Sequence, residues 1–339
     1  MSSSRRQGSP ELPCLALHRR DHSTALFSTA DQKPIVSGDV EELLRNKTVC
    51  PTARGLLLVR DPASLATFLW NPQDGDQLHL PPLEGVDDTV LMHSHCLLSG
   101  EPSTPGCVVL LVEPFDETVI WYCHTGGDRW VKHDYDIGTM TLPHPDGDQR
   151  QKITICPIAA CRGKFYFNSL STEMGVLEFC PDPVFSSIAV DDTISESDGS
   201  EDDEGYEGDD YGYDDGDSVF LVESGGELYR VTLFYVTHRG DEIDDGVVDK
   251  FDFSELRWRG VDDLGGRTFV LSLCHFGASC SGGEGGLRQD CIYIVYPRKK
   301  EMQVFDVKEG TNELLKLDEA PTSDKAFWFL PADPYEVTE

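Results

Sequence analysis

The chain is short of positive charge. Its 28 Lys and Arg stand against 61 Asp and Glu, a formal charge of 28 − 61 = −33. Proteins that hold DNA or RNA draw most of their affinity from Lys and Arg neutralising phosphates. So acidic a surface argues against direct nucleic-acid binding and against docking on an anionic membrane leaflet. Helical periodicity is nearly missing too. The one amphipathic stretch is GDVEELLRN (38–46), where Asp39 is a candidate cap and Glu42 stands three residues on, as in a capping box. Long apolar runs are lacking: CVVLLV (107–112) is strand-sized, far below the ~20 residues of a membrane helix. The opening MSSSRRQGSPELP has two Arg but no apolar stretch behind them, so no secretory signal is expected. There is no C-x-x-C, and the eleven Cys are irregularly spaced. That suits neither a disulfide framework nor a zinc module, and reads as buried thiols of a reduced compartment, cytosol or nucleus.

What the chain does have is short strands of β-branched and aromatic residues, punctuated by Gly, Pro, Asp and Asn. GLLLVRD (55–61), KFYFNS (164–169), SVFLVES (218–224) and CIYIVYP (291–297) are examples. Strand–turn–strand units recur. TFLWNPQDGDQLHLPP (67–82) and MQVFDVKEGTNELLKL (302–317) share an aromatic before the turn and a Gly, Gly75 or Gly310, at one offset. Taking that aromatic as the marker gives Phe27, Trp70, Trp121, Phe179, Phe253 and Phe305, at intervals of 43, 51, 58, 74 and 52.

Only the interval of 74 is out of line, and it contains DDTISESDGSEDDEGYEGDDYGYDDGD (191–217), 14 of whose 27 residues are acidic. Without those 27 residues the mean period is (305 − 27 − 27)/5, about 50, the length of a kelch-type propeller blade. The expected fold is therefore all-β: a six-bladed β-propeller of about four strands per blade, with the acidic tract a disordered insertion. The expected organisation is a tail at 1–11, the propeller over 12–333 with 191–217 inserted, and a tail at 334–339. PCLALH (13–18) and AFWFLP (326–331) are expected to meet and close the ring. A pair of β-sandwiches is the alternative, which the near-constant period disfavours.

Two blocks carry a resemblance: GLLLVRDPASLATFLWNPQDGDQLHLPPL (55–83), and DFSELRWRGVDDLGGRTFVLSLCHFGAS with the later GLRQDCIYIVY (252–296). They resemble the plant KIB-type F-box-associated β-propeller proteins, in a match running from Pro13 to Pro331. The resemblance implies a partner-recognition domain. Members of that family typically carry an F-box, a helical module that docks onto a ubiquitin-ligase core. About a dozen residues precede the first strand here, too few for three helices, so recognition without that module is expected.

Candidate sites were weighed against plain structural roles. His93, His95 and Cys96 of HSHC are donors a metal accepts. In a strand, however, the two His share a face that Cys96 leaves, and a satisfied or surface pair is the better reading. SCSGGEGG (279–286) lacks the Gly-Lys-Ser/Thr ending of a phosphate loop and reads as a blade-connecting loop. No Gly-x-Ser-x-Gly elbow is present. Thr193, Ser195 and Ser200 each have an acidic residue three positions on, making them candidate phosphorylation sites that would each add about −1.5 to −2 charge. RGD (239–241) and NKT (46–48) would matter only outside the cell. The expected function is a non-enzymatic protein-interaction module, monomeric and without cofactor or metal. Its partner is expected to be a protein, a basic one being the kind that the acidic tract would attract. A ligase adaptor that recruits the ligase core by another surface, and a propeller enzyme acting at the central channel, are the alternatives.

Overall fold

The computed structural model describes residues 11–19, 23–114, 117–142, 149–169, 172–191, 218–235, 243–272 and 276–331. They form six radial sheets around a central channel. Blade one has β1 (Cys14–His18), β2 (Thr24–Ser28) and β3 (Lys33–Ile35). Helix α1 (Gly38–Leu44) leads into blade two: β4 (Thr48–Pro51), β5 (Leu57–Arg60), β6 (Thr67–Trp70) and β7 (Gln77–Leu80). Helix α2 (Asp88–His93) precedes blade three, made of β8 (His95–Leu98), β9 (Val108–Val112), β10 (Val119–His124) and β11 (Val131–Asp134). A separate hairpin of β12 (Thr139–Leu142) and β13 (Gln149–Lys152) follows.

Blade four has β14 (Ile158–Cys161), β15 (Lys164–Phe167), β16 (Glu173–Phe179) and β17 (Pro183–Ala189). Blade five has β18 (Ser218–Ser224), β19 (Glu227–Tyr235), β20 (Ile243–Asp252) and β21 (Arg257–Gly260). Blade six holds β22 (Arg267–Ser272), β23 (Phe276–Ser281), β24 (Cys291–Tyr296), β25 (Glu301–Asp306) and β26 (Thr311–Lys316). Finally β27 (Lys325–Phe329) pairs antiparallel with β1, Leu15 opposite Trp328, and closes the ring.

The strands read as continuous apolar runs because each blade is covered on both faces. Side chains alternate across a strand, so neighbouring residues serve opposite neighbours. In β5, Leu57 and Val59 pack towards blade one while Leu58 packs towards blade three. In β10, Trp121 faces blade two while Ile120 and Tyr122 face blade four. The core is accordingly six wedges, one between each pair of adjacent blades.

All the marker aromatics lie on the strand next to the outermost one of their sheet or at its end, and pack towards the preceding blade. Phe27, Trp70, Trp121 and Phe305 are buried, Phe179 and Phe253 half-buried. The turn chemistry places the register. Trp70 pairs with Gln77, Phe305 with Asn312 and Phe27 with Pro34, each seven residues on. After Trp70 and Phe305, an Asx oxygen accepts a backbone N–H two residues ahead (Asn71 from Gln73, 2.9 Å; Asp306 from Lys308, 3.2 Å). Gly75 and Gly310 then take positive φ, 80° and 60°. In blade five the same turn runs from Asp252 to Leu256 (φ 52°), and it is Phe251 that pairs seven residues on, with Trp258. Phe251 is thus the counterpart of Trp70, and Phe253 sits one residue past the strand, on the same face.

Several expectations need correction. Helix α1 begins at Gly38 with Ser37 as N-cap and no side-chain cap bond, so Asp39 lies inside the first turn. Helix α2, capped by the Asp87 carboxylate accepting from Thr89 N–H, takes up His93, so HSHC is a helix end followed by a strand. Blade six is not a simple meander: β22 turns back along β23 at the channel, and β24 then lies parallel to β22. SCSGGEGG therefore crosses within one sheet instead of linking blades, and it packs against blade one. Gly285 and Gly286 have φ +54° and +81°, and a Cβ on them would lie 2.5 Å from Pro13 O and 2.7 Å from Ala30 Cα. Gly286→Ala is expected to lower stability by about 2–3 kcal/mol, from backbone strain and overpacking together. An unchanged midpoint in urea unfolding would contradict this packing.

The acidic tract joins β17 of blade four to β18 of blade five; residues 192–217, with Thr193, Ser195 and Ser200, lie outside the described residues, as do RGD and both tails apart from Glu11. Replacing 192–217 with a short Gly/Ser linker is expected to leave the ring folded, because both flanking strands are intact. Stability should hold or rise slightly as like charges are removed. Loss of the strand-type circular dichroism spectrum would show the tract to be part of a blade.

Candidate functional site: the mouth of the central channel

A cavity of about 380 Å³ opens where the channel-lining strands β8, β23 and β27 begin. Four blades build it. Blade two gives Pro51, blade three the end of α2 with His93, Ser94 and His95, and blade one Asp324 to Ala326. Blade six contributes Phe276 and the β24–β25 turn, Val295 to Lys299. Strand pairing holds each of these at the rim. His95 and Phe276 meet edge to face across two blades, ring centroids 6.1 Å apart.

The polar groups are anchored. His93 Nδ1 lies 2.8 Å from Thr89 O, and Ser94 Oγ donates to Val90 O at 2.8 Å. Lys325 Nζ donates to Met92 O and lies 5.8 Å from the Phe327 ring centroid. Arg298 Nη2 lies 3.8 Å from Asp324 Oδ1, with the Arg298 side chain 74 % exposed. The lining thus carries Arg298, Lys299 and Lys325 against one carboxylate, the reverse of the chain as a whole. Beneath it Cys50 and Cys96 are fully buried, and Cys50 Sγ lies 3.0 Å from Ser94 O. The Cys96 thiol hydrogen-bonds to Cys50 and, with the Lys325 ammonium, holds the Cys50 thiol below the usual range. Cys96 is pushed up by that same hydrogen bond and by burial.

The other end of the channel is crossed by an ion pair. Arg54 Nη2, from the turn after β4, meets Glu223 Oε2, near the end of β18, at 3.0 Å. Their side chains are 17 % and 9 % exposed, and blades two and five stand opposite each other in a ring of six. Glu223 Oε1 also accepts the Gly226 N–H at 2.8 Å.

Of the metal-donor residues in HSHC, His93 and His95 line the cavity, while Cys96 turns into the wedge between blades two and three. Among the described residues no group of three His, Cys, Asp or Glu is placed to hold a metal. Ionisable side chains stand at the mouth where the inner strands begin, among them His95, Asp324 and Lys325. Sequence reading passed over Lys325, Arg298 and Phe276 altogether. PRKK (297–300), three cations in so acidic a chain, was the available signal.

Residues 26–306 match the model of the KIB1-4 beta-propeller family. The chain belongs to that family. Three solved structures similar to this KIB1-4 propeller are distant in sequence. Kluyveromyces lactis Hsv2 is 9% identical with a TM-score of 0.33, over 80% of this chain and 64% of that one. A chain of the nidogen/laminin complex is 8% identical with a TM-score of 0.39, over 95% and 100%. A Lactobacillus plantarum protein is 10% identical with a TM-score of 0.38, over 91% and 96%. None of the curated proteins matches. Among the described residues, no helix is long and apolar enough to cross a membrane.

Proposed function

We propose that this KIB1-4 propeller is a non-enzymatic protein-interaction module that presents the channel mouth to a protein partner. The observation that carries this reading is the concave, aromatic and cationic rim assembled from four blades of a ring. Such pockets, apolar with a few convergent polar groups, are where ligands bind. Binding is favoured over chemistry because His93, Ser94 and Lys325 are tied to backbone carbonyls, an arrangement that shapes a surface. A reduced compartment fits the ten described cysteines, none of which is in a disulfide.

The test is capture from an extract by the immobilised chain, with Phe276→Ala and Tyr296→Ala at the mouth. Leu314→Ser, on the outer strand β26 and 46 % exposed, serves as the control. A captured protein lost with the mouth variants and kept by the control is the expected result. Equal capture by all three would overturn the assignment to the mouth, and ligase-core subunits among the captured proteins would favour the adaptor reading.

A further inference from the structure

We infer that the mouth accepts a carboxylate-bearing peptide segment, an Asp- or Glu-containing loop or tail of the protein partner; this rests on the interaction reading above. The chain has more than two acidic residues for each Lys or Arg, 61 against 28. In the cavity lining the balance reverses: Arg298, Lys299 and Lys325 face one acid, Asp324, and His93 and His95 stand beside them. These groups arrive from blades one, three and six, so the fold, and no single run of sequence, concentrates them.

The walls between the charges are Phe276, Tyr296, Val295 and Pro51, and low-dielectric walls strengthen a local field. Arg298, held loosely by Asp324 at 3.8 Å, offers the planar fork that takes a carboxylate through two parallel N–H donors. The occupant is a protein segment and no free small acid, because a cavity of about 380 Å³ has the volume of roughly a dozen waters at about 30 Å³ each. That leaves room for apolar side chains beside the carboxylate, and the aromatic and proline walls supply their contacts. Nucleic acid is disfavoured because its unbroken run of phosphates continues past the cationic mouth onto the acidic surface, whereas a side-chain carboxylate is seated within the mouth.

The experiment is fluorescence anisotropy with a labelled peptide of alternating Glu and Leu, its Lys and Leu counterpart, and free glutarate as competitor. The Glu peptide is expected to bind the intact chain more than tenfold more tightly than the Lys peptide. Arg298→Ala with Lys299→Ala, both in an exposed turn, should weaken it about tenfold, equivalent to about 1.4 kcal/mol. Asp324→Asn should tighten it several-fold, a gain that a damaged fold could not produce. Equal binding of the two peptides, or affinity indifferent to these substitutions, would overturn the inference, as would glutarate competing at the peptide's own concentration. If mouth variants abolish partner capture while the peptides show no charge preference, the interaction reading stands and this one falls.

Discussion

Trp70→Ala is expected to destabilise the ring by about 3–5 kcal/mol, the range for truncating a large buried aromatic. Trp70 ends β6, is 4 % exposed, and meets Phe329 edge to face with ring centroids 5.8 Å apart. Phe329 belongs to β27, the strand that completes blade one, so the indole rests against the seam of the ring. Its removal leaves a void among Phe68, Phe327 and Leu57, of which Leu57 and Phe68 sit on strands paired on both sides. Poor relaxation puts the cost at the upper part of the range. Urea unfolding reads it, with Leu256→Ser in a corresponding outer turn as a control expected to change little. An unchanged midpoint for Trp70→Ala would mean that the wedge between blades one and two is packed otherwise.

Arg54→Ala is the second large effect. It removes the cation from a pair whose carboxylate is 9 % exposed. Breaking a buried pair from one side costs about 3–5 kcal/mol, because the remaining charge is left in a poorly solvating site. The lower end is expected here, since Glu223 keeps the Gly226 N–H and Arg54 is 17 % exposed. The double change Arg54→Met with Glu223→Gln should recover most of the loss, as neutral replacements of buried pairs often do. A single variant as stable as the parent, or a double variant worse than the single, would show that the pair does not bridge the channel.

Much of the ring was legible in the sequence, for a physical reason. Each blade must fill the same wedge, so Phe27, Trp70, Trp121 and Phe305 all pack towards the preceding blade from the strand next to the outermost one, and betray the period. The period cannot order strands within a sheet, which is why the parallel pairing of β22 with β24 escaped it. Helix α2 is six residues long, too short for periodicity to register. The mouth was illegible because its residues span Pro51 to Ala326 and meet only through ring closure. Arg54 and Glu223, 223 − 54 = 169 positions apart, are likewise brought together by topology alone.

The seam between β1 and β27 also sets a schedule for synthesis. Emerging from a ribosome, β1 must wait through 325 − 18 = 307 further residues for its partner, roughly 15–60 s at about 5–20 residues per second. Through that interval CLALH presents an apolar strand edge, able to template pairing with other nascent chains. The growing chain is therefore most vulnerable to aggregation on the ribosome while four of its six wedges already exist, the two that flank blade one still lacking the side chains of β27.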